Sequence, residues 1–192
     1  LKEENSLSSQ TSKRKTQEIG APIEDFTLTA LAGGQRSLSS LMAGKRGAVV
    51  VFWSSVCSHC IRYDPYLSGF AVKHPELALV AVASRQGETL DQIRKTAAER
   101  KLSFPILHDS NSAVARNWYT EQTPRAFLLD ANRTLLYRGA IDNYKFQGDA
   151  TYLAYLEPAI SEFMAGQPVR QTETASFGCA IQSVYYILPR PL

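Results

Sequence analysis

The run from Ala48 to Trp53, AVVVFW, constrains this chain more than any other stretch. Unbroken apolar character with many β-branched residues reads as a strand buried on both faces. Four residues after it begins Cys57-Ser58-His59-Cys60, followed by a segment able to carry a helix. A Cys-x-x-Cys at the mouth of a buried strand and the start of a helix is the setting of a redox dithiol. A helix N-terminus leaves backbone N–H groups aimed at the first cysteine. Their partial positive charge favours the thiolate, which is the nucleophile of disulfide exchange. Cys57 is therefore expected to be the attacking sulfur, the more exposed and more acidic of the pair, with Cys60 resolving from beneath. Two inert cysteines, or half of a zinc site, are the competing readings. Structural zinc takes four Cys/His ligands in paired clusters. The rest of the chain offers Cys179 and two histidines with no second such pair, so no metal site is assigned.

The 192 residues suit one domain with tails, and the strands alternate with helical patterns, which gives an α/β class. A net charge of +3 with no basic stripe is too small to argue for nucleic acid. No run of 18 apolar residues is present, so no membrane span is expected. The chain opens on Leu1 with a polar arm through residue 19, including Lys13-Arg14-Lys15. That arm is read as following a removed signal or anchor, an arbitrary cut being the alternative.

In chain order, Asp25 to Ala30 and Gln35 to Leu38 read as a β-hairpin turned by Gly33-Gly34. Ser39 or Ser40 is expected to cap a short turn. After the dithiol, Ile61, Leu67 and Phe70 mark a helix face, which Pro65 is expected to kink. Glu76 to Ser84 is a second buried strand, and Leu90, Ile93, Ala97 and Leu102 keep helical spacing. Phe104 to Leu107 reads as a short strand, with Asp109-Ser110-Asn111 capping a helix through Trp118. Beyond Thr123-Pro124, Arg125 to Asp130 and Thr134 to Arg138 form a second hairpin. Leu153, Leu156, Ile160, Phe163 and Met164 stripe a last helix, with a kink expected at Pro158. The final segment, 168–192, holds Cys179 and an apolar run 184–188 that suggests an edge strand.

Strand, Cys-x-x-Cys, helix, βα units, Thr-Pro, hairpin and final helix, in that order, resemble the thioredoxin superfamily. Phe52-Trp53, Pro65 five residues after Cys60, and Thr123-Pro124 before RAFLLD carry the resemblance, which covers about residues 20–167. The leading hairpin and the extra elements between Gly87 and Tyr119 resemble the extracytoplasmic thiol-disulfide oxidoreductases, including cytochrome-maturation thioredoxins. The resemblance implies a three-layer fold with a central mixed sheet, an N-terminal β-hairpin and one inserted βα unit. It implies exchange with protein thiols and disulfides, no cofactor beyond a Cys57–Cys60 disulfide, a redox partner that resets the pair, a monomer, and a place outside the cytoplasm. By the same resemblance Trp53, Thr123 and Pro124 meet the substrate, and the Thr123-Pro124 bond is cis and faces the dithiol. Two departures stand out. Val51 occupies the place of a buried aspartate, and Val56 that of a tryptophan. His59 matches a strongly oxidising relative, so its imidazolium is expected to stabilise the Cys57 thiolate.

Two rival functions remain open in the sequence. A thiol peroxidase on the same fold would want a hydroxyl and a proline upstream of the reactive cysteine. Ser54 supplies the first, whereas Val50 holds the place of the second. A copper(I) metallochaperone would use Cys57 and Cys60, with His59 or His108. Three roles are open for Cys179: a buried structural cysteine, an intermolecular disulfide partner, or a third thiol that exchanges with the active pair. The first is expected, with Cys179 remote from Cys57, because the last helix of this fold packs on a sheet face.

Overall fold

The structure is a computed structural model that describes residues 17–182. The polar arm up to residue 16 and the apolar run 184–188 lie outside the described residues. The organising strand, β3 (Gly47–Trp53), is buried at all seven positions. It pairs in parallel with β4 (Leu77–Ala83), from Gly47↔Leu77 to Trp53↔Ala83. On its other side it pairs antiparallel with β7 (Arg125–Asp130), which turns into β8 (Leu135–Gly139). β4 leads outward to β5 (Ile106–His108) and then to the hairpin of β1 (Thr27–Ala30) and β2 (Gln35–Ser37). The seven-stranded order is β2-β1-β5-β4-β3-β7-β8. This is the mixed sheet with a leading hairpin that the sequence suggests.

Successive residues of a strand point to opposite faces, and the apolar run of β3 divides accordingly. Val49, Val51 and Trp53 join one cluster with Leu67, Phe70, Ile93 and Ile160. Those four come from α3 (Asp64–Lys73), α4 (Leu90–Glu99) and α6 (Leu156–Met164). Ala48, Val50 and Phe52 face a second cluster with Leu38 and Met42 of α1 (Leu38–Met42) and Val114 of α5 (Ala113–Asn117). Each buried valine or phenylalanine here contributes about 1.5–3 kcal/mol, so both layers depend on this strand. Among the described residues, no helix is long and apolar enough to cross a membrane.

Several local expectations shift. Pro65 does not kink a helix. The chain after the dithiol breaks into α2 (Ser58–Ile61) and α3, and Pro65 sits in the first turn of α3, where a missing N–H costs nothing. Pro158 likewise falls in the first turn of α6 and bends nothing. Leu153 precedes that helix and is 58 % exposed, so it leaves the apolar stripe. Ser37, not Ser39 or Ser40, caps α1 by accepting from the Ser40 N–H at 3.0 Å. α4 carries a full capping box between Thr89 and Gln92.

Beyond α6 the chain returns to the body along the outside of β8. Arg138 N–H donates to the Thr172 carbonyl at 3.0 Å, and Thr174 N–H donates to the Arg138 carbonyl at 3.1 Å. The Arg138 guanidinium forks onto both Glu173 carboxylate oxygens at 2.9 and 3.1 Å. The Thr174 hydroxyl lies 2.6 Å from the Tyr137 hydroxyl and accepts from the Ala140 N–H. A Cβ at Gly139, whose φ is +151°, would collide with Thr174, so the glycine admits this clasp. Farther on, β9 (Cys179–Ala180) pairs antiparallel with β6 (Gln122–Thr123). Ile181 is buried in the second cluster, its N–H bonded to the Glu121 carbonyl at 2.9 Å and its carbonyl to the Gln86 N–H at 2.8 Å.

Candidate active site

The dithiol lies where β3 ends. Cys57 is the N-cap residue of α2, and its carbonyl accepts from the Cys60 N–H at 3.0 Å and the Ile61 N–H at 3.3 Å. The turn before it is fixed from below. Trp53 Nε1 donates to Asp64 Oδ1 at 3.0 Å, and Arg100 bridges Asp64 Oδ2 at 3.2 Å and the Ser55 carbonyl at 2.6 Å. Glu88 Oε1 accepts from the Ser55 N–H at 2.6 Å, while Glu88 Oε2 is buried without a partner among the described residues. These carboxylates are acidic residues that periodicity places on surfaces. Only their tertiary partners reveal them as supports of the active loop.

Opposite the dithiol, the Thr123–Pro124 peptide is cis. The Cys57 thiol donates to the Thr123 carbonyl at 3.3 Å. The Thr123 hydroxyl, on a residue 1 % exposed, is buried with no partner among the described residues. Thus the Thr123-Pro124 loop meets the dithiol, as the resemblance implies. Trp53 is not part of the contact surface. It is wholly buried, because it ends a strand covered on both faces, and it props Asp64 from within. His59 is exposed at the first turn of α2. The His108 ring is tied to the Glu88 carbonyl at 3.0 Å on β5, away from the sulfurs' own partners.

Two expectations about the sulfurs are corrected. Cys57 is not the exposed thiol: both Cys57 and Cys60 have 0 % exposure. The cover over Cys57 is β9. Cys179, placed far from the pair by sequence reasoning, is the cross-strand partner of Thr123 and packs against the cluster that holds both active-site sulfurs. Its thiol and its backbone N–H are among the groups that favour the Cys57 thiolate. The signal in the sequence was the Phe177-Gly178-Cys179-Ala180-Ile181 segment itself. A Cβ at Gly178 would run into the Thr123 carbonyl, so glycine is the residue that lets this strand come so close.

The acidity of Cys57 keeps its predicted direction and changes its cause. A four-residue helix supplies little field of its own. The Cys60 thiol first, then the Cys179 thiol and the Thr123 hydroxyl, stabilise the Cys57 thiolate and outweigh its burial, holding its pKa down to about 4. His59 is not among the groups that act most strongly on it. Burial, and then the neighbouring Cys57 thiolate, push the Cys60 thiol far up. The same two causes raise Cys179. One sulfur is thus charged at neutral pH and two hold their protons. That asymmetry suits a nucleophile with waiting partners.

A mixed sheet between two helical layers, with this dithiol at the end of its central strand and a Thr-Pro loop against it, defines a thioredoxin-like protein. The chain belongs to the AhpC/TSA family, whose model matches residues 19–138. It is 29 % identical over 114 residues to the thiol-disulfide oxidoreductase ResA of Geobacillus kaustophilus, a match covering 59 % of this chain and 64 % of that protein. The chain therefore spans less than two thirds of that relative's length. It is 27 % identical over 128 residues to the thiol-disulfide oxidoreductase YkuV of Bacillus subtilis, covering 65 % of this chain and 81 % of the other. Its fold is shared with a hypothetical protein of Sinorhizobium meliloti at TM-score 0.75 and 27 % identity, over 85 % of this chain and 93 % of that one.

Proposed function

We propose that this chain is a thiol-disulfide oxidoreductase acting on protein disulfides through Cys57 and Cys60. The observation that carries the reading is the split between the two sulfurs: an acidic Cys57 against the Thr123 carbonyl, and a proton-holding Cys60 in the turn behind it. The Cys57 thiolate attacks a substrate disulfide, forming a mixed disulfide and releasing one substrate thiolate. The Cys60 sulfur then attacks Cys57 Sγ, its proton passes to the departing second substrate sulfur, and the Cys57–Cys60 disulfide remains. Two electrons have moved to the substrate, and a partner dithiol returns them. This chemistry needs no group beyond the two sulfurs. The curated relatives named above support it, and the resemblance of the motif set favours a place outside the cytoplasm.

The test is reduction of a disulfide-bonded protein such as insulin by the reduced chain, with a peroxide arm in parallel. Disulfide reduction that Cys57→Ser abolishes supports the reading. Rapid peroxide consumption without disulfide exchange would replace it with the thiol-peroxidase reading.

A further inference from the structure

The chain carries a third thiol at the reacting centre, and the two-sulfur mechanism leaves it idle. Cys179 is not a loose neighbour. Its strand is held at both ends, by the Thr174 clasp on β8 upstream and by Ile181 buried downstream. Between these anchors, Gly178 presses on the Thr123 carbonyl and Cys179 sits in register with Thr123, the residue whose carbonyl accepts a hydrogen bond from the Cys57 thiol. An extended peptide that adds to an exposed strand edge by main-chain pairing is a general mode of peptide recognition. β9 has that form: a short antiparallel strand on the loop facing the nucleophile, carrying a cysteine at the sulfur. The Thr123 hydroxyl, buried without a partner among the described residues, favours a thiolate at the same place.

We infer that β9 occupies the substrate groove as a tethered strand and that Cys179 is a third redox thiol, which exchanges with Cys57. The inference rests on the disulfide-exchange reading of the dithiol. In the step, the Cys179 sulfur attacks Cys57 Sγ of a mixed disulfide. A Cys57–Cys179 bond forms, the bond from Cys57 to the external sulfur breaks, and the external thiolate leaves with the Cys179 proton. Attack on the Cys57–Cys60 disulfide is the same exchange with Cys60 as the leaving sulfur. Each is a disulfide interchange, so no electrons are gained or lost by the sulfurs taken together.

The experiment uses Cys60→Ser protein, in which the usual resolving sulfur is gone. The reduced variant is mixed with glutathione disulfide, quenched in acid, alkylated and mapped by mass spectrometry. The expected product is a Cys57–Cys179 disulfide with the glutathione released. In Cys60→Ser/Cys179→Ser the glutathione stays on Cys57 at least about tenfold longer. Glutathione that stays on Cys57 in the single variant, with Cys179 still open to alkylation, overturns the inference and leaves the exchange reading standing. Failure of Cys57 to take glutathione in any form overturns both. Should Cys60→Ser not fold, the wild-type protein is quenched at successive times after mixing. A Cys57–Cys179 peptide then supports the inference, and Cys57–Cys60 as the sole protein disulfide throughout overturns it.

Discussion

Thr123→Val is the sharpest single probe of how the site sets its own acidity. Valine keeps the shape of threonine and removes only the hydroxyl. Beside the free Cys57 thiol that hydroxyl is buried without a partner among the described residues, and it gains one when Cys57 becomes a thiolate. A hydrogen bond to a charged group contributes about 1.5–3 kcal/mol, and an orphaned buried polar group costs about 1–3 kcal/mol. At 1.36 kcal/mol per pKa unit, losing the bond should raise the Cys57 pKa by about one to two units from its value of about 4. Both values lie below neutrality, so at pH 7 the whole shift appears as destabilisation of the reduced form. At about 30 mV per 1.4 kcal/mol, the reduction potential should fall by about 30–60 mV. The oxidised protein should become more stable, since it sheds an unsatisfied hydroxyl. Thiolate absorbance against pH reads the first effect, and Cys60 and Cys179, both pushed upward, do not overlap it. Glutathione redox buffers read the second, and denaturant unfolding of the oxidised form reads the third. An unchanged Cys57 titration in a folded variant would refute the reasoning, as would a destabilised oxidised form.

Other outcomes follow from the same geometry. Cys57 titrates at about 4 when folded and at 9.0 when unperturbed, so its thiolate stabilises the reduced fold fully above pH 9 and not at all below pH 4. Between those limits, the stability of the reduced protein relative to the oxidised one should climb with pH by up to about 1.4 kcal/mol per unit, and a flat difference in unfolding midpoints would contradict this. Asp64→Asn keeps an acceptor for Trp53 and removes the charge facing Arg100. It should cost about 1.5–3 kcal/mol in urea unfolding, whereas a cost near zero would show that the network does not hold the loop. His59→Ala should leave the Cys57 titration within about half a unit, because an exposed charge acts through solvent. A drop in thiolate acidity of a full unit would restore the imidazolium role.

Much of this protein was legible because its strongest signals are local. The apolar run 48–53 gave the central strand, Cys57 and Cys60 gave the site, and Thr123-Pro124 gave its opposite wall through the family resemblance. Where reading failed, the cause was a partner distant in the chain. Asp64, Glu88 and Arg100 look like surface charges until Trp53 and the Ser55 backbone are placed between them. Pro65 and Pro158 mark boundaries, and only the helix register tells a kink from a first turn. β9 was the hardest. Two residues are too short for any periodicity, and their position depends on ladders made with β6 and β8 far upstream.

The tethering of β9 also sets terms for competition. A strand joined to its own groove by a short segment acts as if present at an effective concentration in the millimolar range. An external peptide at micromolar concentration starts about a thousandfold behind, a handicap of about 4 kcal/mol. A bare cysteine cannot make that up. A substrate that does so must bring affinity of its own, in contacts beyond the sulfur. A covered nucleophile of this kind discriminates before any chemistry begins: small thiols and disulfides react, but more slowly in proportion to how little they bind, and partners that grip the surface are favoured.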